Sequence, residues 1–392
     1  MTPAELRAEF PALSKHVWLN AAAASPLARP VAQAIRAFAD GAEADGDLGF
    51  RQWEATRERL RARLARLTGV TPAQVGLCGS TSHAMGIVAR QLVSRGVREV
   101  VTLEGEFPST TVPLLHAGLT LRVVPRGSDG GFPPEAIARA VTAATGALAV
   151  SAVQFGSGYL VDLGALSSLC RERGLSFVVN GAQALGQVAV DATALGIDYL
   201  CSPSHKWLMG GWGVGVLVTR APLARPALPE AGWLSLPEGS QWNGLSGARL
   251  EATPTATVAT GVGLREDAAV VEAGVPPFAA QAGLEAALAL VEAVGLGAMR
   301  AQVLTVQRAL RTLLRAEGFV PSTHDDERNL SGICVVKVQG SPDDAVRALL
   351  GQGVVTTARA GGLRVSTHAF NTEGDVEALG RALRAAGVRP GP

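Results

Sequence analysis

Apolar positions between residues 69 and 219 come in short, nearly continuous runs with amphipathic stretches between them. The apolar runs lie at 98–103, 119–124, 146–153, 175–179 and 213–219. Helical patterns lie between most of these runs, at 81–95, 133–143 and 162–173. Strands that are buried on both faces have continuous apolar runs, and intervening helices are typical of parallel strands. The pattern therefore predicts an α/β domain with a mostly parallel sheet covered by helices.

This regular alternation ends near residue 220. Residues 220–277 are rich in Gly, Pro and Trp without clear periodicity, which is typical of functional loops or interfaces. The chain beyond them predicts helices at 279–294, 297–316, 342–351 and 373–386 and strands at 331–338, 353–357 and 362–366. These elements indicate a smaller α+β domain. We expect residues 15–260 to form the large domain, and residues 1–14 and 261–392 to form the small one.

Residues 50–68 read as one amphipathic helix. Leu60, Leu64 and Leu67 share one face, and arginines crowd the opposite face. Such a charge pattern usually marks a solvated surface. We therefore expect a helix that lies over the sheet with its arginines in water.

The composition of the chain indicates which class of binding partner to expect. Apolar residues make up 47% of the 392 positions, and 35 basic side chains balance 34 acidic ones. This balance gives no overall field for nucleic acid or an anionic membrane, so a small-molecule partner is expected. The N-terminus has no signal sequence and no apolar run reaches the roughly 18 residues of a membrane span. We expect a cytoplasmic protein.

The four cysteines lack the close pairs that make zinc sites, so no metal site is expected. Each of them lies in an apolar or helical run, and we expect reduced, mostly buried thiols. They are Cys78, Cys170, Cys201 and Cys334.

Lys206 is the sharpest chemical feature. It lies in SPSHKW at 202–207, after a short apolar strand and before several closely spaced glycines. A buried lysine is costly unless it is solvated, paired or covalently used. Partial burial lowers the pKa of the ammonium group and frees the amine to attack a carbonyl, as in Schiff-base lysines. Taken alone, Lys206 is either such an amine or an ordinary solvated side chain.

Three other segments place polar or aromatic side chains where strands end. Asn180 and Gln183 follow an apolar strand at the edge where open α/β sheets bind ligands, although for this segment alone a polar turn at a strand end is the commoner explanation. Ser80 and Thr81 open a helix and form either a phosphate site or only an N-cap. Phe107 either stacks on a flat cofactor or packs in the core.

Together these segments resemble the class V aminotransferase family, a cysteine desulfurase-like group of fold-type I enzymes that use pyridoxal 5'-phosphate (PLP). The group includes cysteine desulfurases, carbon-sulfur lyases, kynureninase and isopenicillin N epimerase-like enzymes. The matching segments are WLNAAAASPL (18–27), GSTSHAM (79–85), EFPSTTVPL (106–114), VVNGAQALG (178–186), SPSHKW (202–207) and RVSTHAFNTEGDVEAL (364–379). The resemblance implies a large domain with a mostly parallel seven-stranded sheet and a smaller C-terminal α+β domain.

The resemblance also implies roles for individual residues. Lys206 would bind PLP covalently and move protons at the substrate Cα, beside His205 as the second catalytic residue. Phe107 would stack on the ring, and Gln183 would bond its phenolic oxygen. The residues implied to bind the cofactor are Ser80, Thr81, Phe107, Asn180, Gln183, Lys206 and, for the phosphate, Ser202 or Ser204.

On the substrate side, Arg359 aligns best with the arginine that pairs with the substrate carboxylate through a bidentate contact. Arg364 competes for that role, and Asn20 is a further substrate-binding candidate. We expect a small amino-acid substrate and a homodimer with both active sites at the interface.

Two positions depart from the family pattern. Asn180 stands where the family has an aspartate, and an amide cannot supply the negative charge that raises the pKa of the ring nitrogen. Val275 stands where related sequences commonly have a threonine that the partner subunit lends to the phosphate. A weaker electron sink and a missing hydroxyl are expected.

The cysteines help to choose among the family's reactions. Persulfide relay needs a thiol on a mobile loop, whereas Cys334 lies in an apolar run where a thiol is inert packing. We therefore expect a carbon-sulfur lyase that acts by β-elimination on a small amino acid or conjugate, without persulfide relay. The alternatives are an aminotransferase, a decarboxylating deaminase or an epimerase on a biosynthetic intermediate, or a catalytically impaired scaffold because of Asn180.

Overall fold

The structure is a computed structural model that describes residues 1–127, 130–236, 263–322 and 326–391. The strands in these ranges are β1 Val17–Trp18, β2 Val75–Cys78, β3 Glu99–Leu103, β4 Thr120–Val124, β5 Thr145–Ser151, β6 Ser176–Asn180, β7 Tyr199–Pro203, β8 Gly215–Thr219, β9 Ile333–Val336, β10 Val354–Val355, β11 Thr357–Arg359 and β12 Gly362–Ser366. The α-helices are α1 Pro3–Ala8, α2 Arg29–Asp45, α3 Phe50–Thr68, α4 Thr81–Ser94, α5 Pro108–His116, α6 Pro134–Ala140, α7 Leu163–Arg173, α8 Phe278–Val294, α9 Leu296–Ala316, α10 Pro342–Gly351 and α11 Glu373–Ala385.

The central sheet of the described chain has seven strands in the order β2-β8-β7-β6-β5-β3-β4. β8 runs antiparallel to both of its neighbours, and the other adjacent pairs are parallel. β7 and β8 are buried along their whole length, whereas β4 at the edge is mostly exposed. The continuous apolar runs of the sequence correspond to strands of this sheet. The predicted mostly parallel sheet is confirmed.

The arginine face of α3 is not solvated as predicted. Arg57 and Arg61 are only 2% and 3% exposed, and both bind the carboxylate of Glu272. Periodicity located the helix correctly but could not show that an acidic side chain more than 200 residues away covers part of its charged face. That part of the prediction was wrong because buried guanidinium groups are tolerated when a carboxylate neutralises them.

A smaller three-stranded antiparallel sheet, β11-β12-β9, packs with α9, α10 and α11 around its own apolar core. β1 pairs in parallel with β10, which ties the N-terminal part of the chain to this region. α8 packs against α2 and α3. The domain boundary predicted at 260 lies outside the described residues and stays a prediction.

All four cysteines are free and buried, as expected. Within the described ranges no single helix has the length and hydropathy of a membrane span, although α8 and α9 meet that test together across an 80° bend.

Candidate active site

A cavity of about 390 Å³ opens where several central strands end. Eight residues singled out from the sequence lie along its wall, and they come from segments that are far apart in the chain. They are Ser80, Thr81, Phe107, Gln183, His205, Lys206, Arg359 and Arg364. Parallel strands bring their carboxyl ends to one edge of a sheet, which explains why these loops meet.

Lys206 lies just after the end of β7. Its Nζ is 5.4 Å from the centre of the Phe107 ring. Burial lowers the pKa of Lys206 to about 8, and the positive charges of Arg364 and Arg359 add to this effect. Met209, three residues after Lys206, has a left-handed backbone conformation with φ 59°. This conformation is unfavourable for residues other than glycine. A strained turn therefore holds a lysine whose amine is partly neutral near pH 8.

His205 lines the same cavity. Burial lowers the pKa of His205 to about 4, and the neighbouring Lys206 adds to this effect, so its imidazole is neutral at pH 7. Its ring lies nearly parallel to that of Trp212, with 6.4 Å between the ring centres. A neutral imidazole beside the lysine can accept or donate a hydrogen bond without adding charge.

The N-terminus of α4 forms one wall of the cavity. Ser80 is the N-cap and accepts a hydrogen bond from the His83 amide, and Thr81 and Ser82 follow in the first turn. A Cβ atom on Gly215 of β8 would come within 2.4 Å of the Ser80 backbone, so only glycine allows this close approach. Hydroxyls and free amides at a helix N-terminus are suited to an anion such as phosphate.

Gln183 is held by two buried contacts. Its Oε1 accepts a hydrogen bond from Trp207 Nε1 at 2.8 Å, and its Nε2 donates to the Ala22 carbonyl at 3.0 Å. The second hydrogen on Nε2 remains to donate to a ligand in the cavity. Trp207, next to the candidate lysine, thus sets which end of the amide faces a ligand.

Arg364 is the buried cation of the site. It is 2% exposed, one of its terminal nitrogens donates to the Phe155 carbonyl at 3.2 Å, and its Nε has no hydrogen-bond partner among the described residues. Burial lowers the pKa of Arg364 to about 10, and Arg359 acts in the same direction. A buried guanidinium without a carboxylate is costly, so an anionic ligand would stabilise it.

Arg359, which aligned better with the substrate arginine, is exposed and donates only to the carbonyl of its neighbour Ala358 within the described structure. Ala360 after it has a left-handed backbone with φ 52°. Of the two arginines predicted for the substrate carboxylate, Arg364 is thus the buried one without a described counter-charge, and Arg359 is the exposed one.

Asn180 does not line the cavity. It is 2% exposed; its Nδ2 donates to Thr110 Oγ1 at 2.8 Å and its Oδ1 accepts from the Ala182 amide at 2.9 Å. Ala182 itself lines the cavity. The amide of Asn180 is therefore oriented by the protein directly behind the cavity wall.

Three other sequence candidates, Ser202, Ser204 and Asn20, are not brought to the cavity wall. Ser204 Oγ donates to the Gly211 carbonyl at 2.6 Å, and Ser202 Oγ lies near the Pro203 carbonyl at 3.3 Å. Asn20 has a buried Oδ1 with no partner among the described residues. Val275 is 71% exposed. Their predicted roles, like the homodimer, stay predictions.

Two aromatic residues of the cavity were missed in the sequence. Phe155 follows β5, and its ring makes an edge contact with Phe107 at 5.1 Å between ring centres. Trp212 is 61% exposed at the opening. Each is an aromatic residue next to a glycine in a segment beside a strand, and that pattern is the signal that could have identified them.

The charged side chains described at the cavity wall are basic. Lys206, Arg359 and Arg364 line it, and no aspartate or glutamate is among its described lining residues. No cluster of three His, Cys, Asp or Glu suited to a metal occurs in the part of the chain that the structure describes. A site with a partly neutral amine, a helix N-terminus and unpaired cations is suited to a ligand that carries a carbonyl and more than one anionic group.

Comparison with known proteins gives consistent likenesses. A family model described as Aminotransferase class-V matches residues 17–379. The "Uncharacterized aminotransferase YcbU" of Bacillus subtilis is 26% identical over 385 residues, which cover 95% of this chain and 94% of the relative. The "Probable hercynylcysteine sulfoxide lyase" of Mycobacterium tuberculosis is 29% identical over 375 residues, which cover 88% and 83%.

Solved structures show the same fold. A complex of the cystine C-S lyase C-DES with its reaction product cysteine persulfide has a TM-score of 0.83 at 20% identity, covering 97% of this chain and 100% of that one. A C-DES mutant with glycine covalently linked to its PLP cofactor has a TM-score of 0.82 at 21% identity, covering 97% and 98%. The fold-type I expectation is confirmed.

Proposed function

Because the chain belongs to the class-V aminotransferase family, whose cofactor is PLP, we propose that it is a PLP-dependent carbon-sulfur lyase. Its substrate would be a small amino acid or conjugate with sulfur on Cβ, which it would cleave by β-elimination without a protein persulfide. The observation that carries the proposal is the cavity itself: a lysine with a lowered pKa lies beside Arg364, which is buried without a described carboxylate partner, and no cysteine is among the described lining residues.

The residues present fit PLP. Lys206 would bind the aldehyde of PLP, and Ser80 and Thr81 at the start of α4 would hold its phosphate. Phe107 would cover one face of the ring, and Gln183 has a free amide hydrogen for the phenolic oxygen. The amide of Asn180 supplies no negative charge behind the ring, and the fit is weaker at this point.

When bound, PLP withdraws electrons from the Cα bonds of an attached amino acid. The Lys206 amine takes the Cα proton, and Arg364 pairs with the α-carboxylate and orients the substrate. The Cβ–S bond breaks with its electron pair going to sulfur, which leaves as a thiolate or sulfenate. The remaining three-carbon product hydrolyses to pyruvate and ammonium, so no oxidant or reductant is needed.

The cysteines support the absence of persulfide relay. Cys334 is 1% exposed within β9, and Cys78 and Cys201 lie in the central sheet. Burial raises the pKa of Cys201 and of Cys78 well above the usual value, which keeps them as poorly nucleophilic thiols. Relatives named as a sulfoxide lyase and a cystine C-S lyase also support carbon-sulfur cleavage.

The test is product analysis of the PLP-loaded enzyme. It would be incubated with cysteine, cystine, S-alkyl cysteines and their sulfoxides, and pyruvate, ammonium and alanine would be quantified. We expect pyruvate and ammonium in equal amounts from at least one sulfur substrate, and unchanged rates in Cys334→Ser. Alanine with enzyme-bound sulfur would contradict the proposal, and a pyridoxamine form of the cofactor would indicate transamination instead.

A further inference from the structure

Glu106 is an acidic side chain next to the cavity that has no part in the proposed reaction. It follows β3 and directly precedes Phe107. Its carboxylate is turned inward: it accepts hydrogen bonds from the Ser151 amide at 2.6 Å, from the Ser151 hydroxyl at 2.5 Å and from Gln154 Nε2 at 2.8 Å. Burial raises the pKa of Glu106, and these hydrogen bonds, which favour the ionised carboxylate, act against that rise.

A hydrogen-bond chain connects this carboxylate to Asn180. Asn180 Nδ2 donates to Thr110 Oγ1, so the Thr110 hydroxyl has its own hydrogen left to donate. That hydrogen goes to Glu106, whose carboxyl is hydrogen-bonded by Thr110. Asn180 and Thr110 are 2% and 0% exposed, and Glu106 at the end of the chain is partly buried.

The chain crosses three neighbouring strand ends. Asn180 ends β6, Ser151 ends β5, and Glu106 follows β3; the sheet has these strands side by side in the order β6-β5-β3. Every donor in the chain points toward Glu106. In a low-dielectric interior a charge at one end of such a chain polarises each bond in turn, so the Asn180 Oδ1 becomes a stronger acceptor.

We propose that Glu106 is a positioning residue that acts on the bound cofactor through Thr110 and Asn180, supplying at a distance the negative charge that the Asn180 amide lacks. The inference rests on PLP binding as proposed above. It does not depend on which bond of the substrate is cleaved. The charged residues described at the cavity wall are all basic, so the chain would bring a negative charge to a site that has none of its own among these residues.

The experiment reads the protonation of the cofactor directly. The holoenzyme would be loaded with PLP carrying ¹⁵N in its ring, and the ring nitrogen resonance would be recorded at fixed pH. We expect Glu106→Gln to shift the resonance toward that of an unprotonated pyridine, because removal of the charge lowers the pKa of the ring nitrogen. Thr110→Val is expected to shift it in the same direction, whereas Thr110→Ser keeps the hydroxyl and the wild-type resonance.

The same Glu106 substitution made in an Asn180→Asp protein makes the test specific. In Asn180→Asp a carboxylate supplies the charge without the chain, so adding Glu106→Gln should leave the resonance nearly unmoved. Two results would overturn the proposal. One is a ring nitrogen resonance that moves in neither Glu106→Gln nor Thr110→Val, and the other is a shift on Glu106→Gln that is equally large in the wild-type and Asn180→Asp proteins. Loss of carbon-sulfur cleavage does not alter this signal, so failure of the reaction and failure of the chain are distinguishable.

Discussion

Arginine side chains are buried both beneath α3 and in the cavity, but only beneath α3 does a described carboxylate neutralise their charge. Beneath α3, Glu272 accepts hydrogen bonds from Arg57 at 2.8 Å and from Arg61 at 2.7 Å, and from the Leu77 amide at 3.0 Å. Burial acts to raise the pKa of Glu272, but the two arginines outweigh it and the pKa is lowered.

In the cavity, Arg364 is buried just as deeply with no carboxylate among the described lining residues, and Lys206 lies beside it. A buried cation that the protein leaves unpaired raises the free energy of the empty site, and an anionic ligand recovers that cost. The first region therefore stabilises the fold, whereas the second binds a ligand. Substitutions in each region separate effects on stability from effects on ligand binding.

The largest expected effect is at Lys206. Lys206→Ala removes both the group that binds PLP and the base, so we expect activity to fall about 10⁴-fold or more. The free energy of unfolding should not decrease, since no carboxylate loses a partner. Steady-state turnover and urea unfolding together check both statements.

Glu272→Gln should act on the stability of the fold rather than on the activity. It leaves Arg57 and Arg61 buried beside a neutral amide, and we expect a loss of about 3–5 kcal/mol in the free energy of unfolding. Glu54→Gln, which removes a partly exposed partner of Arg57, is the matched control and should cost less than about 1 kcal/mol. A Glu272→Gln protein as stable as wild type in urea would show that the cluster is not structural.

Arg364→Gln should weaken substrate use without weakening the fold. We expect kcat/KM to fall about 10²-fold, mainly through KM, because the carboxylate contact is lost. The free energy of unfolding should stay the same or increase. Arg359→Gln, the exposed neighbour, should have a smaller effect, and the reverse ranking would return the carboxylate role to Arg359.

The smallest effect concerns pH. The amine of cofactor-free Lys206 is charged below its pKa of about 8 and neutral above it. The rate of PLP attachment should therefore increase with pH and level off above about pH 8. Arg364→Gln removes a cationic neighbour, so the pKa of Lys206 should rise by less than about one unit and the plateau should move to higher pH. Stopped-flow absorbance measures this, and Glu54→Gln should leave the profile unchanged.

Local patterns predicted the elements of both regions well. The helix expected at 342–351 is Pro342–Gly351, and the apolar run at 175–179 became the strand Ser176–Asn180. Element type follows from periodicity because each period matches one backbone geometry. The order of strands then placed Lys206 and Thr81 on one cavity.

Side-chain partners were not predictable in the same way. Glu272 lies 211 residues from Arg61, and no local pattern links them. No local pattern indicates either that the Ser204 hydroxyl donates to the Gly211 carbonyl, which the turn after Lys206 brings close. These contacts depend on the packed tertiary structure, and so does the choice between Arg359 and Arg364.

The central claim is that the unneutralised cavity binds PLP at Lys206. The chain has three lysines, Lys15, Lys206 and Lys337, and the first and last are exposed, so they serve as internal controls. Purified protein would be mixed with PLP, its visible spectrum recorded, the sample reduced with borohydride, and the peptides mapped by mass. The account predicts a visible band that is lost on reduction and a pyridoxyl mass on the Lys206 peptide alone. A colourless protein, or modification of Lys15 or Lys337 in place of Lys206, would contradict it.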